Sequence, residues 1–208
     1  RKRLAMDMDS TLITIECVDE VGDMAGKKAG IAALTTRAMR GEIDYAQSLR
    51  QRVRLLAGLG LESLQRVYDE RLRLSPGAEQ LVQACRKHGV KMLLVSGGFS
   101  FFTERLKQRL GLDFTISNEL ELAGGKLTGA LAGRIVDAEA KAARLREVAH
   151  ALGASREHTV AIGDGANDLK MLAEAGTSVA YRAKPVVKAK AGCALDFSGL
   201  DGVINLFE

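Results

Sequence analysis

The sequence predicts an α/β protein: a Rossmann-like, mainly parallel sheet carrying a small helical cap domain and a β-hairpin insertion. Three observations predict it. Short apolar runs alternate with helical patterns, as in βαβ units whose right-handed crossovers build a parallel sheet. Three of these runs end on acids, hydroxyls or glycines, which suit a ligand at the carboxyl rim of such a sheet. Two stretches break the alternation, one wholly helical and one reading as paired strands.

The first strand is Leu4 to Asp9, apolar but interrupted by two aspartates. In a strand, Asp7 and Asp9 fall on one side and Met6 and Met8 on the other. Residues 14–75 hold only helical patterns, too many for one crossover, and read as the cap; the core then comprises 1–13 and 76–208. A helix over Gly77 to His88 leads to a second strand, Val90 to Val95, which ends in Ser96-Gly97-Gly98. A helix over Phe101 to Leu110 follows. From Ile116 to Gly133, Glu-Leu-Glu-Leu, Ala-Gly-Gly and Lys-Leu-Thr-Gly supply two alternating strands and their turn. A helix over Ala138 to Leu152 precedes the third strand, Thr159 to Ile162, which ends in Gly163-Asp164-Gly165. Helices over Asp168 to Ala175 and Pro185 to Ala191, with strands over Thr177 to Tyr181 and Ala194 to Phe197, complete the chain. Asp7/Asp9, Ser96-Gly97 and Asp164 thus converge on one rim, facing a cleft between two lobes.

With 208 residues, 47% of them hydrophobic, the chain can bury one good core and a modest second lobe. No apolar run approaches the roughly 18–20 residues of a membrane span, so no membrane partner is expected. Arg1-Lys2-Arg3-Leu4 runs straight into a strand, unlike a signal peptide. Arg1 is not a methionine and almost nothing precedes the first strand, as in a fragment cut at a domain edge. A missing N-terminal regulatory domain fits that picture, and a homodimer is left open. The net charge of +4 raises nucleic-acid binding as a reading. Basic and acidic residues interleave, however, and aromatic residues reach only 4% with no tryptophan, which leaves no platform for bases. No nucleic-acid partner is therefore expected, and the mildly basic surface favours small anionic substrates. Cys17, Cys85 and Cys193 fit no zinc spacing and read as small buried hydrophobes in a reducing, cytoplasmic compartment.

Asp7-Met8-Asp9-Ser10-Thr11 places two carboxylates close enough to repel unless a cation or a shared proton relieves them. Mg²⁺ accepts carboxylate and phosphate oxygens together, so the pair suits phosphoryl transfer; alone, it also suits an Asx turn. Gly163 to Asp168 combines close backbone approach with a helix N-terminus that favours anions, or serves as a tight turn with an N-cap. Taken together, the two acidic strand ends supply a cation site. Ser96-Gly97-Gly98 adds a hydroxyl and unhindered amides at the same rim. At about 100° per residue, Arg52 shares a sector with Tyr45, Leu49 and Leu56, while Arg50 and Arg54 point away. Arg52 is thus the arginine placed to reach a cleft, with a snorkelling head as the alternative. Glu16 could face it or the substrate. Lys141 reads, by itself, as a solvated helical lysine.

Asp7 to Thr11, Glu16, Ser48 to Val53, Ser96 to Phe99, Lys141 and Gly163 to Asp168 resemble, in order, the haloacid dehalogenase-like (HAD) phosphatases, and within them the phosphoserine phosphatases. The resemblance spans essentially the whole chain; Met8, where many members carry an aromatic residue, is a departure. It implies hydrolysis of O-phospho-L-serine, the last step of serine biosynthesis. Asp7 would be the nucleophile and Asp9 the general acid and base. Mg²⁺ would be held by Asp7, the Asp9 carbonyl and Asp164, with Asp168 in support. Ser96, Gly97, Lys141 and Asn167 would hold the phosphoryl group, and Glu16 and Arg52 would read the ammonium and carboxylate. A phosphatase or phosphotransferase acting on phosphoethanolamine or homoserine, and a receiver-like phosphoacceptor module, are the competing readings.

Overall fold

A computed structural model describes residues 2–207; Arg1, on which the reading of a cut start rests, lies outside them. Seven strands follow one another along the chain: β1 (Arg3–Asp7), β2 (Lys91–Phe99), β3 (Phe114–Ala123), β4 (Lys126–Ala132), β5 (Thr159–Gly163), β6 (Thr177–Tyr181) and β7 (Cys193–Leu195). They form one sheet in the order β4-β3-β2-β1-β5-β6-β7. Every pairing is parallel except β3 with β4. The expected α/β class and mainly parallel sheet are therefore correct.

All five residues of β1 are buried, because both faces of this central strand are covered. Leu4 and Met6 join one apolar cluster, and Ala5 joins another with Leu93, Val95 and Ala161. The chain leaves β1 for β2 on one side and later adds β5 on the other, so the strand order reverses beside β1. Such a switch point opens a crevice at the carboxyl ends of the strands.

Between β1 and β2 run α1 (Cys17–Met24), α2 (Lys28–Met39), α3 (Tyr45–Arg54), α4 (Leu61–Arg66) and, leading into β2, α5 (Ala78–Lys87). The base of this helical stretch is closed by pairing of Ile13 with Leu74 and by Ser75 N–H to the Leu12 carbonyl at 2.9 Å. Asp44 caps α3 by accepting the Gln47 amide at 2.7 Å, and the Gln47 side chain accepts the Asp44 amide in return. Later come α6 (Ser100–Leu110), α7 (Ala138–Ala151), α8 (Leu169–Ala173) and α9 (Pro185–Lys188). Among the described residues no helix is long and apolar enough to cross a membrane.

The structure corrects several expected elements. The first strand stops at Asp7: Met8 to Leu12 form a tight turn, with Asp9 at φ −64°, ψ 134° and Ser10 left-handed at φ 56°. Asp9 therefore does not share a strand face with Asp7, contrary to the expectation from the sequence. Expected as one helix, Asp168 to Ala175 is instead a short turn, Ala166–Asp168, followed by α8. The last strand ends at Leu195, leaving Phe197 99% exposed. Cys17 and Cys85 are buried, but Cys193 on the edge strand is only half-buried.

The hairpin does more than expected. Phe114 to Ile116 pair parallel with Leu93 to Val95 before Glu119 to Ala123 turn back against β4. Its two-residue turn is Gly124-Gly125, both at positive φ (56° and 76°), which matches the right-handed twist of the strands and strongly favours glycine. The returning strand then braces the helical stretch: Gly58 N–H donates to the Leu127 carbonyl and Leu127 N–H to the Leu59 carbonyl, both at 2.8 Å.

The second strand runs past Val95 to Phe99, although its register with β3 shifts there. Asn118 takes over the lost ladder. Its Nδ2 donates to the Gly97 carbonyl and its Oδ1 accepts the Val136 amide, both at 2.8 Å. Replacing Asn118 with Ala takes one donor from the Gly97 carbonyl and leaves the buried Val136 amide unpaired, so urea unfolding should report a loss of about 1–3 kcal/mol.

Candidate active site

The rim of the sheet is built around a buried charge cluster. Asp7 ends β1, and Lys141, one turn into α7, donates to Asp7 Oδ1 at 2.7 Å and to Asp168 Oδ1 at 2.8 Å. Asp137 caps that helix by accepting the Ala140 amide at 2.8 Å, which fixes the turn that carries Lys141. Lys141 is 1% exposed, so the solvated helical lysine suggested by sequence is overturned. Asp168 Oδ2 accepts the amides of Asp164 and Gly165, each at 3.1 Å. Gly163 makes room for it, since a Cβ there would lie 2.6 Å from the Asp168 carboxylate.

Carboxylate oxygens of Asp7, Asp164 and Asp168 all lie within 4.8 Å of one another. The Lys141 ammonium touches two of these three carboxylates. Burial raises the pKa of Asp7 well above the usual range, with Asp168 adding to the effect and Lys141 opposing it. Asp164 is pushed up to about 6 by burial, then by Asp168 and Glu16. Burial would lower Lys141, but Asp168 and Asp7 together outweigh it and hold the ammonium protonated. An all-oxygen set with surplus negative charge fits a hard divalent cation, which would relieve the repulsion.

Asp9 sits apart from these three. Its Oδ1 accepts the Cys17 amide at the start of α1 at 3.0 Å. Burial and then Glu16 push its carboxyl up to about 7, against that hydrogen bond. Gly98 packs beside it, where a Cβ would meet Asp9 Oδ2 at 2.8 Å. Ser96 is buried and its Oγ accepts the Gly98 amide at 2.9 Å, which leaves the hydroxyl proton free to donate.

These groups border a cavity of about 800 Å³. Asp7, Asp9, Gly97, Asp164 and Asn167 line it from the sheet, and Glu16, Tyr45 and Arg52 from the helical stretch. Arg50 and Arg54 are exposed while Arg52 is half-buried, as the helical spacing implied. Glu16 opens onto the cleft and accepts the Ser10 hydroxyl at 2.5 Å. The surrounding protein still raises its pKa through burial, against that bond. Ser96 and Lys141 lie behind the lining, Lys141 being held by its two aspartates.

Sequence reasoning missed Thr11, whose hydroxyl donates to Asp164 Oδ1 at 3.2 Å, and Asn118. It also missed Tyr45, which reaches the Gly97 carbonyl at 3.4 Å. Lys184 was missed as well. It lines the cavity, its amide donates to the Asp164 carbonyl at 3.1 Å, and its charge lowers both Glu16 and Asp164. Lys184 follows β6, so the strand-end rule that found Asp164 would have found it. Nothing in the sequence singles out Asn118.

Lys141→Met would leave Asp7 and Asp168 buried without their counter-charge. Unfolding by urea in the absence of divalent cations should show a loss of about 3–5 kcal/mol.

Residues 4–173 match the family model described as haloacid dehalogenase-like hydrolase. The chain is 55% identical to a phosphoserine phosphatase of Polaromonas sp., over all of this chain and 90% of that protein. A phosphoserine phosphatase of Albidiferax ferrireducens is 50% identical over the same shares. Among solved structures, one described as a phospho-aspartyl intermediate analogue of phosphoserine phosphatase superimposes with a TM-score of 0.93 at 36% identity, covering 100% of this chain and 99% of that one.

Proposed function

The chain belongs to the haloacid dehalogenase-like hydrolase family, and on that premise we propose that it hydrolyses O-phospho-L-serine to L-serine and phosphate. The observation that carries this reading is a single cavity with Asp7, Asp9 and Asp164 on one wall and Glu16 and Arg52 on the other. The first group suits a phosphomonoester. The second presents one anion and one cation, matching the ammonium and carboxylate of an amino acid.

Asp7 is the nucleophile. A carboxylate oxygen attacks phosphorus, the bond from phosphorus to the serine oxygen breaks, and an aspartyl-phosphate forms. Asp9 gives its proton to the departing oxygen and takes one back from the water that cleaves the intermediate. The Gly97 amide, the Ser96 hydroxyl, Lys141 and Asn167 stabilise the charge spread over the phosphoryl oxygens. Asp7, Asp164 and the Asp9 backbone carbonyl would hold Mg²⁺, which when bound supplies charge neutralisation at those oxygens. Asp168 keeps this set in place through the Asp164 and Gly165 amides.

Glu16 takes the substrate ammonium. Arg52 takes its carboxylate, for which a planar fork is the suited donor. Residues 14–75 act as a cap domain that closes over the substrate and excludes water. The three unpaired cysteines support a reducing compartment such as the cytoplasm.

Phosphate release from L-phosphoserine tests the scheme. Activity should vanish with a chelator and return with Mg²⁺, and Asp7→Asn should lower kcat on the order of 10³-fold or more. Arg52→Ala should raise KM for phosphoserine about 10–100-fold, the worth of a charge-assisted hydrogen bond pair. Phosphoethanolamine, which has no carboxylate, should lose little. A preference for phosphoethanolamine that Arg52→Ala does not alter would reject phosphoserine as the substrate.

A further inference from the structure

The first helix of the cap carries three acids on or near its inner side, Asp19, Glu20 and Asp23. Arg71 Nη1 engages two of them, at 2.6 Å from Glu20 and 2.7 Å from Asp23. Asp19 is left over. Its Oδ1 is buried with no hydrogen-bond partner among the described residues, and the residue lines the same cavity as Glu16 and Arg52.

Arg52 carries the complementary defect, for its Nε is also buried without a partner among the described residues. Buried donors and acceptors are paired in the great majority of cases, so an orphan of each kind at one ligand cavity calls for a partner supplied by a change of state. The two charges already sense each other: burial raises the Asp19 pKa, and Arg52 heads the influences that lower it. A guanidinium offers several edges, so a carboxylate bound to one pair of N–H groups leaves others to be satisfied from elsewhere.

We propose that Asp19 is the positioning residue for Arg52: Asp19 Oδ1 accepts the Arg52 Nε–H when a substrate carboxylate occupies the outer guanidinium nitrogens. Asp19 then aims the fork, and through it sets the selectivity for phosphomonoesters that carry a carboxylate beside the ammonium. This rests on the reading of Arg52 as the carboxylate receptor. Glu16, whose oxygen already accepts from Ser10 and which opens onto the cleft, keeps the ammonium.

The test compares kcat/KM for phosphoserine and phosphoethanolamine in wild type, Asp19→Asn, Arg52→Lys and the double variant. Asp19→Asn should lower the ratio of phosphoserine to phosphoethanolamine about tenfold, the scale of one charge-assisted hydrogen bond. The loss should appear in KM for phosphoserine rather than in kcat, and Asp19→Glu should recover part of it. In the Arg52→Lys background, which lacks Nε–H, Asp19→Asn should change the ratio no further. An unchanged ratio in Asp19→Asn overturns the proposal. So do equal losses on both substrates, which would make Asp19 an ammonium ligand or a purely structural residue, and so do additive losses in the double variant. A wild type with no preference for phosphoserine would sink the substrate reading itself. A wild-type preference that Arg52→Lys weakens and Asp19→Asn leaves intact would sink only the role of Asp19.

Discussion

One buried ion cluster organises this molecule: the ammonium of Lys141 held between Asp7 and Asp168. Three carboxylates gathered at the ends of two neighbouring parallel strands, Asp7 at the end of β1 and Asp164 and Asp168 after β5, are costly to remove from water. Lys141 offsets part of that cost and leaves a surplus of negative charge. The same surplus favours a divalent cation and, through it, a phosphate. Asp168 serves twice, once as a partner of Lys141 and once as the acceptor that aims the Asp164 and Gly165 amides. The fold is arranged to deliver these groups: α7 is capped by Asp137, and Asn118 ties the strand end at Gly97 to the Val136 segment that leads into that helix.

The two walls of the cavity divide the work. The sheet rim is set by hydrogen bonds among strands packed on both faces, which suits groups that must hold reacting atoms. The helical wall is joined to the sheet by the Ile13–Leu74 pairing and by the hairpin contacts at Gly58 and Leu127. It contributes Glu16 and Arg52 to the cavity lining, side chains that are only partly enclosed. A receiver-like phosphoacceptor would need the acidic rim but not this second wall with its opposed charges.

Much of the scheme was legible in the residues. The alternation of apolar runs with helical patterns determined the α/β class, and the strand-end rule placed Asp7, Asp164 and Ser96-Gly97 on one rim. Helical spacing separated Arg52 from Arg50 and Arg54. These are local or periodic signals, read over one strand or two helical turns, and they survive folding because burial of one face enforces them. Asp9 was expected at that rim and lines the cavity, but not from a strand: the strand stops at Asp7, and the chain turns through Asp9 and left-handed Ser10 to the Ile13 amide bonded back to the Met8 carbonyl.

What tertiary structure alone decided are the contacts between segments far apart in the chain. Lys141 meets Asp7 across 134 positions and Asp168 across 27, and Asn118 bridges Gly97 to Val136. Thr11 reaches Asp164 across 153 positions. None of these residues differs in its local pattern from a solvated lysine, a strand asparagine or a turn threonine. Their partners are set by strand order and by which helix crosses which sheet face. The sequence by itself determined the elements and the chemistry available at their ends; the order of the sheet determined which charges became neighbours, because electrostatic pairing depends on distance in space and not on separation along the chain.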